Sequence, residues 1–338
     1  MQTDQDEIKA PVNICDALGN LNPDARGWSR FPYHIGNLQG RWLRKKKWEY
    51  WCFTGPRYAF SLCVANVDYA GLSAIYLLEY ESGRFAEKAA ARLFSSHPEM
   101  PEPFGQKTEF QHRSLSLSLD PNDSGIHMEI DCPRFKGKKL HGHLDVQRAK
   151  DFESLNVLVP WDERTFQFTS KQCALPVGGS IHWGDEEFTF SPEDSFACLD
   201  YGRGIWPYQT TWTWAAFSTR SGNDVVGINM GAQWTDGTGA NENGIILNGK
   251  LHKIFEDITI TYDRSNFSAP WTMKTESSNA VDLTFTPFYE KRNRGFFIIL
   301  DAQVHQQFGY YSGTLVADGR TIQIDKAVGW AEEHVARW

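Results

Sequence analysis

No stretch of the 338 residues approaches the ~20 consecutive apolar positions that a membrane-spanning helix needs. Positive charge is in short supply: 34 Lys and Arg against 42 Asp and Glu give a net charge of −8, which excludes the basic surface of a general nucleic-acid binder. The one basic run, Arg44-Lys45-Lys46-Lys47, stands directly before Trp48-Glu49-Tyr50-Trp51 and reads as a solvated strand entry. Cysteine is sparse, with six residues (Cys15, Cys52, Cys63, Cys132, Cys173, Cys198) and no C-x-x-C pair. Together with a polar, acidic segment from Met1 to Ala10 in place of a secretory signal, this predicts reduced thiols in a cytoplasmic protein. There is no G-x-G-x-x-G opening a helix, no Walker loop, no H-E-x-x-H and no G-x-S-x-G. Gly202-Arg203-Gly204 lies among strands and is no dinucleotide site. His141-Gly142-His143 has no third ligand placed by the sequence. No cofactor and no metal are therefore expected.

What the chain does have is aromatic side chains: 13 Trp, 22 Phe and 12 Tyr, or 14% of all residues. Aromatics favour strands and supply large buried area, which points to β structure around a ligand-sized interior. Residues 1–40 show no sustained period. From Trp48 onward, short strand-like runs alternate with turn chemistry every 8–12 residues or so. Leu115, Leu117 and Leu119 alternate with serines, and the turn at 120–125 predicts a hairpin with Ile126 to Cys132. Asn248-Gly249 and Asp318-Gly319 are two-residue hairpin signals. Residues 86–93, rich in Ala, Glu and Lys, have the best helix propensity and are assigned a short helix. The pattern predicts an all-β chain of two antiparallel barrels of about eight strands each, divided near residue 155 into halves 1–155 and 156–338.

The densest polar and aromatic cluster runs from Asp200 to Glu242. Asp200 ends a strand run, Gly202-Arg203-Gly204 follows, then come Trp206, Tyr208 and the period-two pair Trp212 and Trp214. One reading makes Asp200 a desolvated acid in a pocket of rings, able to protonate a substrate. The other pairs it with Arg203 and leaves the tryptophans as core. The loop 231–243 gathers Trp234, Asp236 and Glu242 among glycines and amides. It is open to reading as an acid/base pair, Asp236 with Glu242, or as an ordinary Asx-type loop. His305 is a candidate base or a structural histidine. The C-terminal Gly329–Trp338 reads as a closing strand with a Glu–Arg pair.

Trp48-Glu49-Tyr50-Trp51, Val159-Pro160-Trp161, Leu199-Asp200-Tyr201-Gly202-Arg203-Gly204, Trp234-Thr235-Asp236-Gly237-Thr238-Gly239 and Gly329-Trp330-Ala331-Glu332-Glu333 resemble successive blocks of the family called domain of unknown function 2804. The likeness spans about residues 30–338 and implies a calycin-like fold with no assigned activity. More distantly, Leu199-Asp200 and Trp212-x-Trp214 resemble a block of the carotenoid 1,2-hydratase group, with its tocopherol cyclase-like and fungal Diels–Alderase relatives. That resemblance implies two lipocalin-like halves and a cavity for a hydrophobic, often polyene or terpenoid, substrate. It would make Asp200 the proton donor, although Tyr201-Gly202-Arg203 replaces the usual His-containing continuation.

Three functions follow as expectations. The first is a cofactor-independent hydratase, cyclase or isomerase acting on a hydrophobic unsaturated small molecule. Asp200, Glu242 and His305 would handle protons, and Trp206, Tyr208, Trp212, Trp214, Trp234 and Asp236 would contact the ligand. The second is a carrier without turnover. The third is a carbohydrate-active enzyme using Asp236 with Glu242.

Overall fold

The alternating leucines form one strand, Leu115–Asn122, with Leu115, Leu117 and Leu119 buried and the serines between them half-buried. Its partner Gly125–Phe135 returns across the expected turn. The computed structural model describes residues 5–93, 98, 100–297 and 300–337. Among them the only helix is the single 3-10 turn Pro23–Ala25, and all other regular structure is strand. The protein is an all-β chain of two barrel halves, a 13-stranded sheet and a 9-stranded sheet. No helix among the described residues is long and apolar enough to cross a membrane.

The first sheet contains every strand from Trp28–Ser29 to Phe196–Ile205 except His34–Ile35, which pairs in parallel with Val12–Asn13. The second runs from Gln209–Ser221 to Arg320–Arg337. The change of sheet therefore falls between Ile205 and Gln209 and not near residue 155. No low-complexity linker marks either place, and Leu155–Pro160 pairs back onto Trp28–Ser29 and Phe166–Trp183 in the first sheet. The 18-residue strand Phe166–Trp183 carries a bulge between Gln172 and Leu175, where Ala174 has φ 60°. The bulge lets its two ends serve different neighbours, Phe196–Ile205 on one side and Lys138–Gln147 on the other.

Several expectations change. Residues 86–93 form no helix; Phe85–Leu93 is a strand paired with Ala70–Glu79. A free sheet edge outweighs the small helix preference of its alanines. The basic run is not wholly solvated: Lys46 is 1% exposed and donates to the Val67 carbonyl at 3.2 Å. The separate short strands expected after Val281 merge into long ones, Val281–Phe297, Leu300–Ala317 and Arg320–Arg337. The Asn-Gly and Asp-Gly turns behave as expected, with positive φ at Asn248, Gly249, Asp318 and Gly319.

Both faces of the central strands are covered. In Lys45–Thr54, Trp51 and Phe53 point into the first half's own core, while Tyr50 and Cys52 point toward Trp214, Phe308 and Trp330 of the second half. The second half has its own core around Trp271, Phe285 and Tyr311. The layer where the two sheets face each other holds the site.

A candidate active site between the two sheets

Register builds the site. In the first sheet, Cys63, Tyr50, Asp200 and Lys171 stand opposite one another across four neighbouring strands. Two residues along, the row is Ala65, Trp48, Gly202 and Thr169. Period-two geometry puts both rows on one face. Gly202 is required there, because a Cβ on it would overlap the Trp48 ring and the Gln167 amide. In the second sheet, Lys291, Gln306, Glu332 and Trp214 form a matching row across four strands. Val304, His334 and Trp212 lie two residues along. The two faces enclose a cavity of about 340 Å³ lined mainly by apolar and aromatic surface.

One end is a closed charge network. The Lys171 ammonium lies 2.9 Å from Asp200 Oδ1 and 3.2 Å from Glu242 Oε2, and 4.4 Å from the centre of the Trp214 ring. Thr169 donates to Asp200 Oδ1 at 3.1 Å, and Trp234 Nε1 donates to Glu242 Oε1 at 2.8 Å. Burial works against the lysine's charge, but Asp200 and Glu242 outweigh it and hold its pKa above the ordinary value. Burial pushes the Glu242 carboxyl up despite Lys171. Glu242 reaches this place because Gly231 offers no Cβ to overlap it and Asn229 Nδ2 donates to its carbonyl at 2.6 Å.

The other end is open in charge. Glu332 accepts from Trp212 Nε1 at 3.1 Å and from Gln306 Nε2 at 2.9 Å. Both donors are neutral, and burial raises its pKa from 4.5 to about 7. Burial, with help from the Lys291 charge, lowers the His334 imidazole to about 3, so it is neutral at ordinary pH. Its ring centre lies 3.9 Å from that of Trp212. Tryptophans fill the remaining wall: Trp206 packs on Trp48, Trp161, Trp212 and Trp234, with centroids 5.0–5.8 Å apart. A proton donor, a buried cation and an aromatic wall thus face one apolar space.

Residues 5–338 match the model of the family described as Domain of unknown function (DUF2804). The chain belongs to this family. No curated protein matches the DUF2804 chain in sequence. Its fold is similar to that of CghA in complex with Sch210972, with TM-score 0.54 and 12% identity over 100% of this chain and 97% of that one. It is also similar to a putative AttH from Nitrosomonas europaea, with TM-score 0.52 and 10% identity over 86% and 92%. A third similar fold is kievitone hydratase from Nectria haematococca, with TM-score 0.50 and 11% identity over 85% and 88%. At these identities the likeness shows the fold alone.

Of the DUF2804 residues singled out from sequence, Asp200, Glu242, Trp206, Trp212, Trp214 and Trp234 meet at the cavity. Asp200 pairs with Lys171, not with Arg203, whose guanidinium lies on the other face against Glu49. Tyr208 is 61% exposed and lies off the cavity. Asp236 is exposed in a turn, accepting from the Gln233 N–H at 3.2 Å. His305 hydrogen-bonds Glu290 at 2.9 Å and stacks on Phe267, on the far face of its strand from Gln306. Lys171, Lys291, Gln306, Glu332 and His334 were not identified from sequence. The adjacent acids Glu332-Glu333 were visible, but only pairing separates them: Glu333 bonds to Arg264 and Tyr262 outside, and Glu332 faces inward.

Proposed function

We propose that this protein is a cofactor-independent acid/base enzyme of hydratase, cyclase or isomerase type, acting on a hydrophobic unsaturated small molecule in the cavity between the sheets. The observation that carries this reading is Glu332: a carboxyl held by two neutral donors in an apolar cavity, with a pKa of about 7. Such a group keeps its proton near neutrality and can deliver it. In the proposed step the Glu332 O–H bond breaks and its proton joins a substrate double bond. Positive charge then develops beside Trp212 and Trp214, where ring faces stabilise a desolvated cation by about 2 kcal/mol. Loss of a neighbouring proton to the Glu332 carboxylate completes an isomerisation or cyclisation. Capture of water, with the same proton return, completes a hydration. Asp200 and Glu242 remain in the site as the ion-paired partners of Lys171, and the donor role moves from Asp200 to Glu332.

Two observations favour this over the alternatives. A carrier of an apolar ligand has no use for the buried Glu242, Glu332 and Lys171 and the half-buried Asp200 and Lys291, ionisable groups that are costly to desolvate. A glycosidase needs two carboxyls facing one another across a gap; here Asp236 is exposed and Glu242 is bridged to Asp200 by Lys171. The fold shared with a protein named as a hydratase is an analogy that fits the reading.

The test is incubation of cell extract in heavy water with wild type, Glu332→Gln and Asp200→Asn, read by untargeted mass spectrometry. Metabolites that gain deuterium or water with wild type, and not with Glu332→Gln, are the expected outcome. No labelled metabolite with either wild type or Glu332→Gln, with one ligand co-purifying with both, would establish a carrier instead.

A further inference from the structure

We infer that the molecule held in this cavity carries an anionic oxygen group, such as a carboxylate or an enolate, that pairs with Lys291. The inference rests on the cavity being the ligand site proposed above, and it narrows the substrate class from a plain hydrocarbon to an unsaturated organic acid.

Two lysines face the cavity, and their surroundings differ. Lys171 is saturated by Asp200 and Glu242. Lys291 has no carboxylate within ion-pair distance among the described residues. Its ammonium instead lies 4.0 Å from the centre of the Tyr76 ring. In its own row the acid is Glu332, two strands away, so their backbones are about 10 Å apart, and the acid whose charge acts most on Lys291 is Glu87, exposed on the first sheet. Gln306 stands between the two, and both Glu332 oxygens already accept hydrogen bonds. Gln306 is held in turn by the Tyr76 hydroxyl, which donates to its Oε1 at 3.3 Å and also bonds the Tyr50 hydroxyl at 2.8 Å. This chain of bonds fixes Gln306 as a spacer and keeps Lys291 and Glu332 apart. Burial lowers the lysine's pKa, and the attraction of Glu87 and then Glu332, neither within ion-pair distance, offsets this only in part. An anionic ligand group supplies a close counter-ion, and desolvation inside the cavity strengthens the pair. Lys291 would also set direction: with the acidic end of the ligand at Lys291, its unsaturated body extends past Gln306 toward Glu332, Trp212 and Trp214.

The test uses two fluorescent probes of nearly the same shape, anthracene-9-carboxylate and anthracene-9-carboxamide, titrated against the full chain. Wild type is expected to bind the carboxylate at least tenfold more tightly than the carboxamide. Lys291→Met should bring the two affinities together while leaving carboxamide binding within about twofold, and Lys291→Arg should restore the preference. Should Lys291→Met not fold, Lys291→Gln carries the same comparison. Equal binding of both probes by wild type, or a preference that survives in Lys291→Met, overturns the inference. Carboxamide binding without carboxylate preference would do so while leaving the cavity as a hydrophobic site. Failure of both probes to bind would remove the cavity reading as well.

Discussion

The two walls of the cavity hold similar groups in opposite conditions. On the first-sheet side, Asp200, Lys171 and Glu242 form a closed network whose charges answer one another. On the second-sheet side, Glu332, Gln306 and Lys291 stand in a row with the acid and the ammonium separated. Asp200 and Glu242 share the Lys171 ammonium, whereas Glu332 is bonded only to indole and amide N–H groups and burial leaves it near the balance between its two forms. The first wall therefore supplies a fixed field and the second supplies the group that can give up a proton. Ionisable residues in a cavity are better judged by their partners than by their number.

The largest effect expected from breaking this contrast is on turnover. Glu332→Gln keeps the shape but removes the acidic proton and turns one of the two accepting oxygens into a donor, and is expected to lower the rate on the metabolite found by deuterium labelling on the order of 10²–10⁴-fold. A rate within threefold of wild type would move the donor to the other wall. Lys171→Met should instead act on stability, costing about 3–5 kcal/mol in urea unfolding, because it leaves Asp200 and Glu242 buried without a cation. A loss under about 1 kcal/mol would mean that the first wall is not a closed network.

A third effect sharpens the contrast through pH. Glu332 has a folded pKa of about 7 against an ordinary 4.5, so between these values the native state holds a proton that the unfolded chain releases. Its contribution is intact below pH 4.5 and is lost as pH rises to 7, by roughly 3 kcal/mol. Wild type should therefore lose stability relative to Glu332→Gln over this window, measured by paired unfolding curves at pH 4.5, 6 and 8. A constant difference would show that the carboxyl is not poised. The smallest effects are expected at the sequence candidates outside the cavity. Tyr208→Ala and Asp236→Asn should change unfolding free energy by less than about 0.5 kcal/mol and leave probe binding unchanged.

Much of this was legible in the sequence, unevenly. Alternating leucines, Asn-Gly and Asp-Gly turns and abundant aromatics led to an all-β chain of two halves, and the Asp200–Glu242 stretch contained one wall of the site. The helix assigned to 86–93 failed because propensity is worth tenths of a kcal/mol per residue, less than strand pairing provides. The boundary near 155 was misplaced because Leu155–Pro160 has the same texture as strands of either sheet, and only its pairing tells which it joins. His305 and Asp236 have suitable chemistry but point elsewhere.

The sequence alone determined the alternation, the turns and the stock of tryptophans and carboxyls, because these follow from local backbone preference and side-chain type. It could not determine which carboxyl would meet a lysine and which would not. Glu332 and Glu333 are neighbours with the same side chain, and a one-residue step along a strand sends one into the cavity and the other to Arg264 at the surface. Lys171 and Lys291 differ only in what stands opposite them across strands contributed by distant parts of the chain. Register and the packing of one sheet on the other made those choices, and proton affinity follows from them because it depends on burial and on the nearest charge.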